Sequence, residues 1–175
     1  MRRPEVQHLV IGSLLLAMSI LIPLSMGGLL GVAMGPFTAT LASHVPTFIA
    51  MLYGPLVAGI VGVGSALGFF LKLGLVVGSR AAMHIPVGII GALMLKKSFP
   101  YPATLVALGP IHAGLEALLV LFFGFSLKDA GILVGVGTLL HHAIDTVITL
   151  VLWKALFARG FDLRPEHLHP SKSSK

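Results

Sequence analysis

Three observations in the sequence predict an all-α membrane protein with six transmembrane helices. Only 10% of its 175 residues are charged, against roughly a quarter in water-soluble proteins. Mean hydropathy is +0.99, and the chain carries 21 Gly and 11 Pro, residues more frequent in membrane helices than in soluble ones. The apolar residues gather in runs near the 20 or so that a helix needs to cross hydrocarbon. They do not alternate as the strands of a membrane barrel do. An open sheet is excluded, because lipid leaves its edge N–H and C=O groups unpaired.

The runs fall at 8–26, 37–52, 55–73, 79–95, 103–123 and 130–157. The first has no charge after His8, and the second is short. The connection between them, "SMGGLLGVAMGP", is Gly-rich and uncharged. It reads either as a flexible interfacial loop or as a lid, with Gly27, Gly28, Gly31 and Gly35 as its pivots. An outer loop without charge is unusual for a mere linker. Residues 1–159 form the transmembrane domain and 160–175 a polar tail, whose His167 and His169 read as solvated.

Six spans put both termini on one side. That side carries nine basic residues: Arg2, Arg3, Lys96, Lys97, Lys154, Arg159, Arg164, Lys172 and Lys175. The other side carries three, Lys72, Arg80 and Lys128. The bias makes both ends cytoplasmic. It also reads the net charge of +6 as topogenic charge facing anionic lipid, not as a nucleic-acid surface. No cleaved signal peptide is expected. The absence of cysteine excludes disulfide and thiolate chemistry.

Ionisable residues recur at depth. His44 lies in the second span and Arg80 and His84 in the fourth. His112 and Glu116 lie in the fifth, and His141, His142 and Asp145 in the sixth. Arg80 and His84, His112 and Glu116, and His141 and Asp145 are each i, i+4 and share a helix face. Such groups are expensive in lipid and face a bundle interior or a wet cavity, or else satisfy one another between helices. Two of the histidines sit in the same pattern, Ala-x-His-x-Pro, in "ASHVP" and "AMHIP", forty residues apart. Proline removes an N–H and clashes with the carbonyl four residues back, so kinks are expected that free the carbonyls of Ala42 and Ala82. Paired broken helices often mark a transport site.

Two chemistries suit this set. One is a small organic anion gripped by the guanidinium fork of Arg80, with His44, His84 and His112 near a flat ring or its nitrogen. Glu116, His141 and Asp145 then complete the site, the carboxylates orienting histidines because like charges repel an anion. The other is a transition metal held by His112, Glu116, His141 and Asp145 in a permease or an intramembrane hydrolase. The His-Glu-x-x-His pattern is missing, however, and Arg80 is a poor neighbour for a cation. The anion reading is therefore preferred, with no cofactor, no resident metal and no catalytic residue.

The stretches "LLLAMSILIPL", "GPFTATLASHVPTFIAMLYGPLVAGIVGVGSALGFFL" and "SRAAMHIPVGIIGALML" resemble the S components, the substrate-binding subunits of energy-coupling factor (ECF) vitamin transporters. "FTATLASHVP" with "RAAMH" is most like the niacin branch. The resemblance implies a multi-pass subunit of a prokaryotic cell membrane, not an enzyme. Such a subunit captures a vitamin from outside under a lid that follows the first span. It then docks on a transmembrane coupling subunit driven by two cytosolic ATPases. The docking face implied here is Gly12, Ser13 and Ala17, a small-residue patch that departs from the family's Ala-x-x-x-Ala. The chain lacks the Gly-x-x-x-x-Gly-Lys-Ser/Thr loop that would cradle ATP phosphates itself.

Overall fold

The computed structural model describes residues 3–27 and 30–160. Gly28 and the tail beyond 160, with His167 and His169, lie outside the described residues. Helix α1 (Arg3–Met26) leads into an antiparallel hairpin, β1 (Gly31–Met34) and β2 (Phe37–Thr40). A short helix α2 (Val45–Ala50) and a 3-10 turn (Met51–Tyr53) follow. The remaining helices are α3 (Pro55–Leu73), α4 (Leu75–Ala81), α5 (His84–Lys96), α6 (Tyr101–Phe122) and α7 (Gly137–Ala158). A π-helical segment, Asp129–Val136, runs directly into α7. The described chain is thus almost wholly helical. It contains five stretches long and apolar enough to cross a membrane: His8–Met26, Pro55–Leu73, Leu75–Lys96, Tyr101–Phe122 and Asp129–Ala158.

The run at 37–52 is not one helix. Its first residues pair as β2, and its helix begins only at Val45. The hairpin turn requires a residue at positive φ, and Gly35 supplies it at +55°, the arrangement of a turn with Gly at its first central position. Ala42 also adopts a positive φ, +65°, which a non-glycine residue tolerates only when its surroundings hold it there. Pro46 then sits in the first turn of α2, where a missing N–H costs nothing because that turn has no internal partner for it. The proline starts a helix here and does not bend one.

The second Ala-x-His-x-Pro does the same. Helix α4 ends at Ala81 and α5 begins at His84, with Pro86 in its first turn. Arg80 and His84 therefore do not share one continuous helix, although both are buried. The carbonyls of Ala42 and Ala82 are not freed. They accept the N–H groups of Val45 at 3.2 Å and Ile85 at 3.0 Å. Irregular backbone of this kind is tolerated at membrane depth where protein covers it, and residues Ser43 to Leu52 are all buried.

Helix α3 is the hub. On one side the Cα positions of Gly64 and Gly68 press on Leu16, Ser19, Ile20 and Pro23 of α1. On the other, a Cβ at Gly62 would lie 2.9 Å from the backbone of Ile85. Small residues let helices approach closely where no hydrophobic effect drives them together. The main core joins α2, α3, α5 and α6 through Phe48, Met51, Val61, Leu95, Leu105 and Leu108. A smaller cluster, Phe37, Val120, Ala130 and Val134, seats the hairpin on α6 and the π-helical segment.

Candidate functional site

The site lies where the hairpin, the start of α2, and α4 to α7 converge. Arg80, 3% exposed, projects from the end of α4. Its Nε and Nη2 donate to Glu116 Oε2 at 3.0 and 2.5 Å. Nη1 donates to the Pro36 carbonyl at 3.0 Å and to Thr38 Oγ1 at 3.2 Å. The guanidinium carbon lies 5.5 Å from the Phe37 ring centroid, within cation–π range. Thr138 Oγ1 donates to Glu116 Oε2 at 2.7 Å. A buried charge survives only when paired and hydrogen-bonded, and Arg80 is both. The same bonds tie the hairpin to the floor of the site.

Asp145, fully buried on α7, closes the irregular start of α2 from across the bundle. Its Oδ1 accepts the Ala42 N–H at 2.8 Å, and its Oδ2 accepts the His44 N–H at 3.0 Å. These donors have no partner within their own helix turn, as at any helix start. The carboxylate acts as a cap donated by another helix, and this holds Ala42 at its positive φ. Oδ2 also meets His44 Nδ1 at 2.8 Å, while His141 Nε2 lies 3.6 Å away.

His44 is the centre of an imidazole cluster. Its ring centroid lies 4.5 Å from that of His141, 4.6 Å from His84, 4.8 Å from His112 and 5.8 Å from His142. His84 Nδ1 meets Ser65 Oγ of α3 at 2.7 Å. His112 Nε2 meets Glu116 Oε1 at 3.2 Å, one helical turn along α6. Its Nδ1 faces His142 Nδ1 at 3.2 Å, and His142 Nε2 donates to the Leu105 carbonyl at 2.8 Å.

Beside this cluster is a small cavity of about 20 Å³. Strand β2 walls it with Thr38, Ala39 and Thr40, while Arg80, His84, His44, His141 and Glu116 supply the polar lining and Phe69 an apolar face. A single water needs about 10–15 Å³ of such space, so the site is closed down in this form and a flat ring enters only as the hairpin gives way. The site brings together one guanidinium, several imidazoles and an aromatic face.

Comparison with known proteins supplies the family. The chain is 36% identical over 172 residues to the niacin transporter NiaX of Lactococcus lactis subsp. cremoris (strain MG1363). The match covers 89% of this chain and 77% of that protein. This chain belongs to the niacin transporter family. That is the branch its sequence resembles. No family model matches the chain, and no solved structure matches it.

The seven candidate residues, Arg80, His84, His44, His112, Glu116, His141 and Asp145, all lie in or beside this one cluster. They are not grouped as a four-ligand metal site of His112, Glu116, His141 and Asp145 would need. Glu116 pairs with Arg80 and His112, whereas Asp145 pairs with His44 and the start of α2. Of the lid glycines, Gly27 follows α1, Gly31 opens β1 and Gly35 makes the turn. The "lid" segment is therefore a hairpin, not a loop. On α1, Ser13 and Ala17 are exposed, but Gly12 turns inward, where a Cβ would lie 3.2 Å from Val57. Sequence reasoning missed Thr38, Ser65 and Thr138, and placed His142 at depth in the sixth span without assigning it to the site. A signal for two of them exists: Thr138, His142, Asp145 and Thr149 recur at helical spacing and form a buried polar stripe on α7.

Proposed function

We propose that this chain is the niacin-binding membrane subunit of an ECF-type importer. The observation that carries the reading is the polar pocket under the hairpin, found in a chain 36% identical to a niacin transporter. Nicotinate is a flat pyridine ring with its carboxylate meta to the ring nitrogen. Arg80 takes the carboxylate. Its Nη1 is bonded to hairpin groups, Pro36 O and Thr38 Oγ1, so an arriving carboxylate displaces them and binding moves the hairpin. His44 and His84 face the ring. Glu116 keeps its two bonds to Arg80 and fixes the fork, which favours a planar, bidentate partner.

The chain crosses the membrane six times in this reading. The second crossing is made by β2, α2 and the 3-10 turn, and both ends are cytoplasmic. Ser13 and Ala17 on the outer face of α1 then meet the coupling subunit, which two ATPases drive. Calorimetry on the detergent-purified protein tests the binding claim. Nicotinate binds at one site per chain, and nicotinamide, which lacks the anionic carboxylate, binds about 10- to 100-fold more weakly, the loss of one charged hydrogen-bonded contact. Equal affinity for the two, or no binding of either, rejects the reading.

A further inference from the structure

The imidazole cluster holds more histidine than a pyridine ring needs. One ring nitrogen from each of His44, His84 and His112 lies within 4.8 Å of the other two. The three residues are 2%, 3% and 0% exposed. Their rings stand edge to face at 4.6, 4.8 and 5.1 Å. His44 has Nδ1 on Asp145 and His84 has Nδ1 on Ser65. The Nε2 atoms of both are left for a ligand, whereas His112 has Nδ1 facing His142 and Nε2 on Glu116, so ligation draws one of its nitrogens away from that partner. A carboxylate or hydroxyl on the far ring nitrogen is the arrangement that orients a metal-binding histidine.

The sequence objection to a cation here was Arg80. In the fold its charge is matched by Glu116 at 2.5 Å, so that objection falls. Asp145 is a weaker ligand candidate, because its Oδ1 already accepts the Ala42 N–H and its Oδ2 the His44 N–H and ring contact. We infer that His44, His84 and His112 form a transition-metal site, of the three-histidine zinc type, whose open position faces the pocket. Three imidazoles leave a fourth tetrahedral position free. Zn–N bonds of about 2.0–2.1 Å require each ring to move inward by less than about 1 Å. Imidazole nitrogen is a good ligand for such ions, and so is the nitrogen of a pyridine ring. The metal then takes the ring nitrogen of the vitamin while Arg80 takes its carboxylate. This last step rests on the niacin reading; the metal site itself does not.

The full chain, purified in detergent and stripped with a chelator, is titrated with Co²⁺ as a visible probe. One Co²⁺ per chain should bind with the absorption of a tetrahedral nitrogen site, and one Zn²⁺ should displace it. His44→Ala and His84→Ala weaken metal binding by more than about 100-fold. Asp145→Asn, which removes an outer partner, weakens it by about 10–100-fold. His8→Ala, whose ring contacts Tyr53 outside the cluster, leaves it unchanged. If the unaltered chain takes up no stoichiometric metal at micromolar concentration, the site is overturned, whatever the variants do. With metal bound, nicotinate should bind far more tightly than benzoate, which has no ring nitrogen, and chelation should erase the difference. Equal nicotinate affinity with and without metal overturns the bridging role alone. Metal uptake without any nicotinate binding overturns the niacin reading and leaves the metal site standing.

Discussion

Two carboxylates carry the site, and each does a different task. Glu116 neutralises Arg80, and its removal leaves a guanidinium buried without a counter-charge. Breaking such a pair from one side costs about 3–5 kcal/mol. Glu116→Ala should therefore lower the thermal midpoint of the purified protein sharply, and an unchanged midpoint would show that the pair is dispensable. Asp145 satisfies two backbone donors at the start of α2. Asp145→Ala should cost at least about 1–3 kcal/mol for each donor left bare, and Asp145→Asn should recover part of it through its remaining acceptor. Equal losses in the two variants would contradict the capping role. The i, i+4 spacing made one of these contacts legible in the sequence: His112 and Glu116 do meet. The spacing of His141 and Asp145 was a weaker guide. They stand 3.6 Å apart, because Asp145 is committed to residues about a hundred positions away. Partners at that separation leave no local signature.

At the scale of elements, composition and run length located the five long helices to within a few residues. The hairpin was not legible, because a short apolar run reads alike as buried strand or helix. Its Gly-Pro turn is the one local cue. The two prolines were read as kinks, but each falls in a first helical turn, where its missing N–H is harmless. Close approach at α3 is testable. Gly62→Ala forces a methyl group to within 2.9 Å of Ile85 backbone and should destabilise by about 1–3 kcal/mol, the usual cost of overpacking. Gly114→Ala, with nothing within 4 Å of its Cβ position, should leave the unfolding midpoint unchanged. A neutral Gly62→Ala would mean that α3 and α5 are looser than described. The hairpin is held to Arg80 by three bonds, to Pro36 O, Thr38 Oγ1 and Thr38 O. Because the chain has no cysteine, spin labels at Met34→Cys and Leu127→Cys report its motion alone. Nicotinate should change their distance distribution, and an unaltered distribution would mean that the hairpin is a fixed wall.

At the scale of the whole molecule, polar groups from the hairpin, the start of α2 and helices α3 to α7 meet in one interior, while lipid-type residues cover the outside. Exposed Leu9, Leu14, Met18 and Leu21 on α1 surround the small pair Ser13 and Ala17. In the proposed importer, Ser13→Trp or Ala17→Trp should abolish vitamin uptake by cells and leave binding to the purified subunit intact. Loss of both together would place these residues in the fold, not at a partner. In the proposed orientation, with both ends cytoplasmic, membrane-impermeant labelling of a cysteine placed at Lys97 should occur only from the cytoplasmic side.

The most direct measurement is an experimental structure of the protein with nicotinate. The account predicts the vitamin beneath the β1–β2 hairpin, its carboxylate on Arg80 and its ring nitrogen toward His44 and His84. A vitamin bound elsewhere, or one in this pocket with its carboxylate turned away from Arg80, would contradict it.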